Sequence, residues 1–472
     1  MSQPSIQTIN PSTGAVIATY PAMNSGEVLD VLAAVADAQV LWANVPVDRR
    51  ADHLRAIGRT LRERREPLAA LMTEEMGKPI GEALAEVDKC AWVCDYYADE
   101  GPAALADREV VTEAHRSWVS HEPLGVVLAV MPWNFPYWQV MRFAAPTLLA
   151  GNAGLLKHAP NVTGCALAIE DVIREAGVPA DVFRSLIVAE ADVPTITETL
   201  IADDRVAAVS LTGSERAGMA VASAAGRAVK KSLLELGGSD PFVVLADADV
   251  PVAAASAVRS RFLNSGQSCL AAKRFVVHQD VAEEFTEAFA AAVDDLVLGD
   301  PLEPGTQVGP MARQDLLAGL QRQVTSSVDS GARIRTSRRA PGGPGAYFPP
   351  TVVDNVSLDM PVMSEETFGP VAAVATVVDD DEAVLVANQT AYGLGASVWS
   401  RDPEHALAVG RRITSGALFV NAVVASDPRL PFGGTKRSGY GRELGAEGAV
   451  EFTNVRTYLI GAGSAPSGPS TE

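Results

Sequence analysis

From Gly125 onward, short apolar runs alternate with helix-length segments, and that rhythm restricts the fold more than any other feature of the chain. GVVLAV, AGLLKH, FRSLIV and VAAVSL are separated by helical stretches such as Thr163 to Glu175. Runs that are apolar on both faces and joined by crossovers build a parallel sheet covered by helices on each side. A second alternation starts after Gly238: PFVVL, a helix from Val250 to Leu263, KRFVVH, and a helix from Val281 to Val297. Two α/β layers sharing a cleft are therefore expected. Ahead of them, periodicity predicts helices over Ser25 to Trp42, Arg49 to Arg65 and Glu66 to Tyr97. Ser117 to Pro123 and Glu451 to Ile460 are strand-like flanking pieces, and the tail GAGSAPSGPSTE has the composition of a disordered or interface extension.

The chain has 472 residues, enough for about three domains, with 47% hydrophobic and 20% charged residues. A formal net charge of −20 argues against nucleic-acid and anionic-membrane partners. No apolar run approaches the roughly 20 residues of a membrane span, and MSQPSIQT has neither a basic region nor an apolar core for export. The four cysteines, Cys90, Cys94, Cys165 and Cys269, lack metal-ligand pairing with histidines. A reduced, cytoplasmic setting is expected.

Three short motifs carry chemistry. NSGQSC sets Cys269 among small neighbours, where a thiolate would be a strong nucleophile. LELGG places the carboxylate of Glu235 at the end of an apolar run, as a general base able to activate water. PWNFP, residues 132–136, lies where a strand hands over to a helix, the crevice position at which open α/β sheets bind ligands. Its Asn134 offers an N–H donor for a developing oxyanion. A fourth stretch, VAAVSL followed by Thr212-Gly213-Ser214 and a helix running through Gly218, presents a helix N-terminus suited to a pyrophosphate, without the G-x-G-x-x-G fingerprint or a P-loop lysine.

At these separations the motifs resemble the NAD(P)-dependent aldehyde dehydrogenase superfamily, from INPSTG near Asn10 to the closing PFGGTKRSGYGRELG. The resemblance implies an α/β fold of two parallel-sheet domains plus a small oligomerisation sheet. It divides the chain into a cofactor domain (1–114 and 130–236), a catalytic domain (237–430) and oligomerisation segments (115–129 and 431–472), assembled as a homodimer or homotetramer. It further implies that Cys269 attacks an aldehyde, that Asn134 and the Cys269 backbone N–H hold the oxyanion, and that Glu235 hydrolyses the thioester. NADP or NAD would lie against Trp133, Lys157, Gly213, Ser214, Gly218, Leu236, Glu366 and Phe368. NAD-selective relatives often carry a Glu where this chain has Pro160, so NADP is permitted; Lys157 and His158 are both candidates to face its phosphate.

KHAPN, LELGGSDP and VVASDPRLPFGG look most like the bacterial succinate-semialdehyde dehydrogenases. That likeness assigns Arg142 to the substrate carboxylate and Ser426 to the substrate mouth. Leu263 stands where many of those enzymes have a second arginine, with Arg261 two positions earlier, and Ala271 precludes a vicinal-cysteine switch beside Cys269. A dehydrogenase for uncharged aliphatic or aromatic aldehydes, with Arg142 in a structural salt bridge, is the alternative; a non-enzymatic binding protein on the same fold is more remote.

Overall fold

The computed structural model describes residues 4–461. Beyond Gly461 the Gly/Ser/Pro-rich tail lies outside the described residues. The chain opens on an antiparallel hairpin, Ser5–Ile9 with Val16–Pro21. Its turn is closed by Asn10, whose Oδ1 accepts the Ser12 N–H at 2.9 Å, and by Gly14 at φ 74°. Periodicity missed this hairpin because both strands are too short and too exposed to stand out.

Four helices follow: Ser25–Ala43, Val47–Glu63, Arg65–Met76 and Ile80–Ala104. The expected single helix from Glu66 to Tyr97 is thus two. Gly77 ends the first in the left-handed region at φ 78°, and Pro79 precedes the second. The break has a consequence for the site, since it lets Lys78 turn inward to pair with Glu86.

Two sheets form the body. The first has six strands in the order Gly439–Tyr440, Lys231–Glu235, Val206–Thr212, Val126–Met131, Ala153–His158, Phe183–Ser185. All pair in parallel except the first, which is antiparallel to Lys231–Glu235. Alternate residues of Val126–Met131 enter different cores: Val127 and Ala129 pack with Phe143 and Leu148, while Val126 and Leu128 pack with Leu32 and Val35. Burial on both faces explains why the run is continuously apolar. Chain order moves outward from Val126–Met131 to Phe183–Ser185, then returns to Val206–Thr212 on the other side, so the topological switch lies between Val126–Met131 and Val206–Thr212.

The second sheet has seven strands: Arg333–Ile334, Thr351–Asp354, Val371–Val377, Ala272–His278, Asp240–Val244, Gly395–Trp399 and Ala417–Val420. A third, small antiparallel sheet joins Arg108–Glu109, Arg116–Pro123 and Thr453–Ile460.

The segment 115–129 is divided at Gly125 (φ 136°), where the chain leaves the small sheet; Val126–Met131 belongs wholly to the six-stranded sheet. Within 431–472, Gly439–Tyr440 also pairs into that sheet, and only Thr453–Ile460 reaches the small one. Among the described residues no helix is long and apolar enough to cross a membrane.

Candidate active site

Because the six-stranded sheet is parallel in five strands, their carboxyl ends share an edge. Asn134, Lys157, Gly213 and Glu235 all lie at or just past those ends. Cys269 comes from the other domain. Its loop leaves the helix Val250–Phe262 through Asn264 (φ 53°, ψ 39°) and Ser265 (φ 53°, ψ 33°), then Gly266 at φ 74°. Two consecutive non-glycine residues in the left-handed region cost on the order of 1–3 kcal/mol each unless the surroundings hold them. They are held. Asn264 N–H donates to Glu82 Oε2 at 2.6 Å, Asn264 Nδ2 to the Asn134 carbonyl at 2.7 Å, and Ser265 Oγ to the Gly309 carbonyl at 3.2 Å. Gly266 is required for a close approach: a Cβ there would sit 2.4 Å from the Gly369 carbonyl oxygen. That contact docks the nucleophile loop on the EETFGP loop. Arg261, fully buried, fastens the same two loops by donating to the carbonyls of Thr367 (2.8 Å), Val371 and Gly369.

Asn134 is clamped. Its Oδ1 accepts from Gln139 Nε2 at 3.0 Å, and its Nδ2 donates one hydrogen to the Gln267 carbonyl at 3.0 Å. Those bonds fix the amide orientation and leave its second N–H hydrogen for an oxyanion. The chain carries Gln139 in the first turn of the helix Trp138–Leu149, a position that sequence reading had no reason to single out.

The base side is built differently. Glu235 is 2% exposed, and neither carboxylate oxygen has a hydrogen-bond partner among the described residues; the Gly434 backbone N–H acts on it without hydrogen-bond geometry. Burial raises its pKa, opposed by Arg142 and reinforced by Glu443. Glu443, also buried, forms an ion pair with Arg142 and is raised by the same desolvation. One guanidinium thus serves two buried carboxylates. Arg142 further donates Nη2 to Thr212 Oγ1 at 3.3 Å and lies 4.8 Å above the Phe432 ring. Arg142 lines the cavity, as a substrate anchor would, and is also paired with Glu443.

Burial pushes the Cys269 thiol up to about 12, against the pull of Arg142 and Lys273. The resting thiol is therefore neutral, well short of the thiolate fraction a free cysteine would carry, and Glu235 is within electrostatic reach of it. Lys273 is a second residue that motif reading missed. It is buried and donates to the Ser268 carbonyl (2.9 Å) and the Cys269 carbonyl (2.8 Å), with Glu366 Oε1 at 3.6 Å. Its signal was a cation at the head of an apolar strand.

The expected cofactor residues separate into groups. Ser214 caps the helix Glu215–Arg227 by accepting the Ala217 N–H at 3.3 Å, which leaves the N–H groups of Glu215 and Arg216 without an acceptor among the described residues. Gly213 donates to the Glu235 carbonyl at 2.9 Å. Gly218 exists for packing, since a Cβ there would meet Leu236 at 2.5 Å. Lys157 is buried at a strand end, lowered to about 8 by burial, with only Glu190 acting on it. A buried ammonium and an open helix N-terminus at the switch point fit the phosphates of a dinucleotide. Trp133 and Phe368 meet edge to face, centroids 5.8 Å apart, as an aromatic corner. Glu366 accepts the Gly238 N–H at 3.0 Å. His158 is excluded from any phosphate: Nδ1 accepts the Ala159 N–H at 2.8 Å, so Nε2 carries the hydrogen given to the Pro136 carbonyl at 2.9 Å, and burial lowers its pKa to about 4.

A cavity of about 290 Å³ reaches Cys269. Phe135, Trp138, Leu270 and Val424 supply apolar wall; Lys89, Arg142, Arg259 and Ser426 supply polar wall. Ser426 lines this cavity, and its Oγ accepts from Lys89 Nζ at 2.8 Å. Lys89 went unnoticed, although Glu82, Glu86 and Lys89 fall on one face of a largely apolar helix.

The model of the aldehyde dehydrogenase family matches residues 1–458. The chain belongs to the aldehyde dehydrogenase family. It is an NAD(P)-dependent aldehyde dehydrogenase by that membership. Among curated relatives, a probable succinate-semialdehyde dehydrogenase [NADP(+)] of Synechocystis sp. is 48% identical over 96% of this chain and 99% of that one. The succinate semialdehyde dehydrogenase [NAD(P)+] Sad of Escherichia coli is 45% identical over 95% and 96%. Among solved structures, succinic semialdehyde dehydrogenase from Streptococcus pyogenes in complex with NADP+ superposes with a TM-score of 0.93 at 37% identity, covering 97% of this chain and all of that one.

Proposed function

We propose that this aldehyde dehydrogenase oxidises succinate semialdehyde to succinate, using NADP or NAD, with Cys269 as nucleophile, Asn134 as oxyanion donor and Glu235 as base. The observation that carries the reading is the cavity at Cys269, whose wall holds two cations, Lys89 and Arg259, that pair with no carboxylate among the described residues. Of the two carboxylates in the same wall, Glu86 pairs with Lys78 and Glu82 accepts the Asn264 N–H, so the unpaired cations favour an aldehyde carrying a carboxylate. The names of the relatives agree in substrate and cofactor.

Cys269 rests as a neutral thiol and must lose its proton as its sulfur bonds the aldehyde carbon. That proton passes to solvent through the open cavity onto which Cys269 faces, which leaves Glu235 for the hydrolytic step. The oxygen that becomes negative is met by the free Asn134 N–H and the Cys269 backbone N–H. Locked donors lose no reorganisation energy when charge appears, which is why such groups lower barriers. When bound, the dinucleotide supplies the hydride acceptor that turns the hemithioacetal into a thioester. Lys157, the Ser214 turn, Trp133, Glu366 and Phe368 would hold it. Glu235 then deprotonates water; hydroxide adds to the thioester carbon, the C–S bond breaks, and the acid and free thiol return.

The unpaired cysteines and the exposed apolar residues Val455 and Leu459 on the small sheet support a reducing, cytoplasmic homodimer or homotetramer. The test is an aldehyde panel with NADP and NAD in parallel, reading kcat/KM. Succinate semialdehyde should exceed butanal by at least about tenfold, the scale of one charge-assisted contact, and NADP should serve at least as well as NAD. Equal values for the two aldehydes would overturn the substrate.

A further inference from the structure

A carboxylate subsite needs a cation that can afford a new partner. Arg142 is a poor candidate, because drawing it toward substrate would strand Glu443, buried and unpaired, and a stranded buried charge is strongly destabilising. Arg259 is exposed and already donates to Ser256 Oγ at 3.2 Å. Lys89 differs from both. Its ammonium comes off the helix Ile80–Ala104, donates to Ser426 Oγ, and lies 4.3 Å above the Trp138 ring. Those partners are neutral. An ammonium has three N–H donors, and among the described residues Ser426 is the only hydrogen-bond acceptor Lys89 has.

We propose that Lys89 and Ser426 together form the carboxylate subsite of the cavity and set its preference for short semialdehydes ending in a carboxylate. The inference rests on the succinate semialdehyde reading and names the side chain that enforces it. Ser426 Oγ accepts the Lys89 hydrogen, so its own hydroxyl hydrogen is free for one carboxylate oxygen, while Lys89 gives an N–H to the other. Phe135, Trp138 and Leu270 provide apolar wall for the intervening methylenes. Burial has lowered Lys89 to about 8; Arg142 adds to that, and Cys90, Glu86 and Asp427 oppose it. No carboxylate touches that ammonium among the described residues, and a bound substrate carboxylate would.

The test compares Lys89→Met and Lys89→Arg with wild type, reading the ratio of kcat/KM for succinate semialdehyde to that for butanal, and inhibition of butanal oxidation by succinate. Because the ratio is taken within one preparation, partial misfolding cancels. Lys89→Met should lower the ratio roughly 10- to 100-fold, the range for a bond to a charged group, and raise the inhibition constant of succinate in step. Lys89→Arg, which keeps the charge, should recover much of the ratio. A ratio in Lys89→Met within about threefold of wild type, with succinate inhibition unchanged, would overturn the assignment to Lys89 while leaving the substrate intact. A wild-type enzyme with no preference for succinate semialdehyde would instead overturn the substrate reading on which it stands.

Discussion

The two sides of the reacting centre are stabilised in opposite ways. On the nucleophile side, hydrogen bonds hold every turn: Asn264, Ser265 and Gly266 sit in left-handed conformations fastened by Glu82, the Asn134 carbonyl and Gly309, and Asn134 itself is gripped by Gln139 and Gln267. On the base side, Glu235 and Glu443 are buried with no hydrogen bond of good geometry and share the charge of one arginine. Geometry is fixed where an oxyanion must be met within tenths of an ångström. Protonation is left adjustable where a proton must be taken from the hydrolytic water. A network that satisfied Glu235 as fully as Asn134 would lower its basicity and pin it in place.

The comparison can be broken most severely at the sulfur. Cys269→Ala should reduce turnover to below about 1% of wild type, because the covalent step has no substitute; the other three cysteines are buried away from the cavity. Activity well above that level would dissolve the division of labour altogether. Asn134→Ala comes next, with kcat down roughly 10²- to 10³-fold when hydride transfer limits the rate. An unchanged kcat would return Asn134 to the role of a turn residue. A smaller effect sharpens the claim that the amide is locked. Gln139→Leu leaves Asn134 in place but frees it to rotate, and kcat should fall about tenfold, the scale of one neutral hydrogen bond, with less change in KM. A Gln139→Leu enzyme at wild-type speed would mean that the clamp from Gln267 suffices.

Sequence made the frame of this site legible and its supports illegible. The parallel sheets, Cys269, Asn134 and Glu235 could be read because strand rhythm and glycine-flanked motifs are local patterns. Glu443 and Lys89 could not, because their meaning depends on partners distant in the chain: Lys89 meets Ser426 across 337 positions, and Glu443 meets Arg142 from the far end of the chain. Gln139 and Lys273 have near partners, Asn134 and the Ser268 and Cys269 carbonyls, but no motif marks them. The same distance in the chain hides the buried carboxylate partner of Arg142 from a sequence reading. The helix break at Gly77 and Pro79 was written in the sequence, but the apolar period running through it outweighed the punctuation.

The central claim, that Glu235 acts on the acyl-enzyme by a step separate from the clamped chemistry of Cys269 and Asn134, has a direct test in Glu235→Gln followed by rapid mixing with saturating aldehyde and cofactor. The account predicts a burst of reduced cofactor comparable with the number of active sites, then steady-state turnover reduced by about 10²-fold or more, within the range for loss of a general base. A variant in which burst and steady state disappear together would contradict it, and would place Glu235 with the thiol's activation instead.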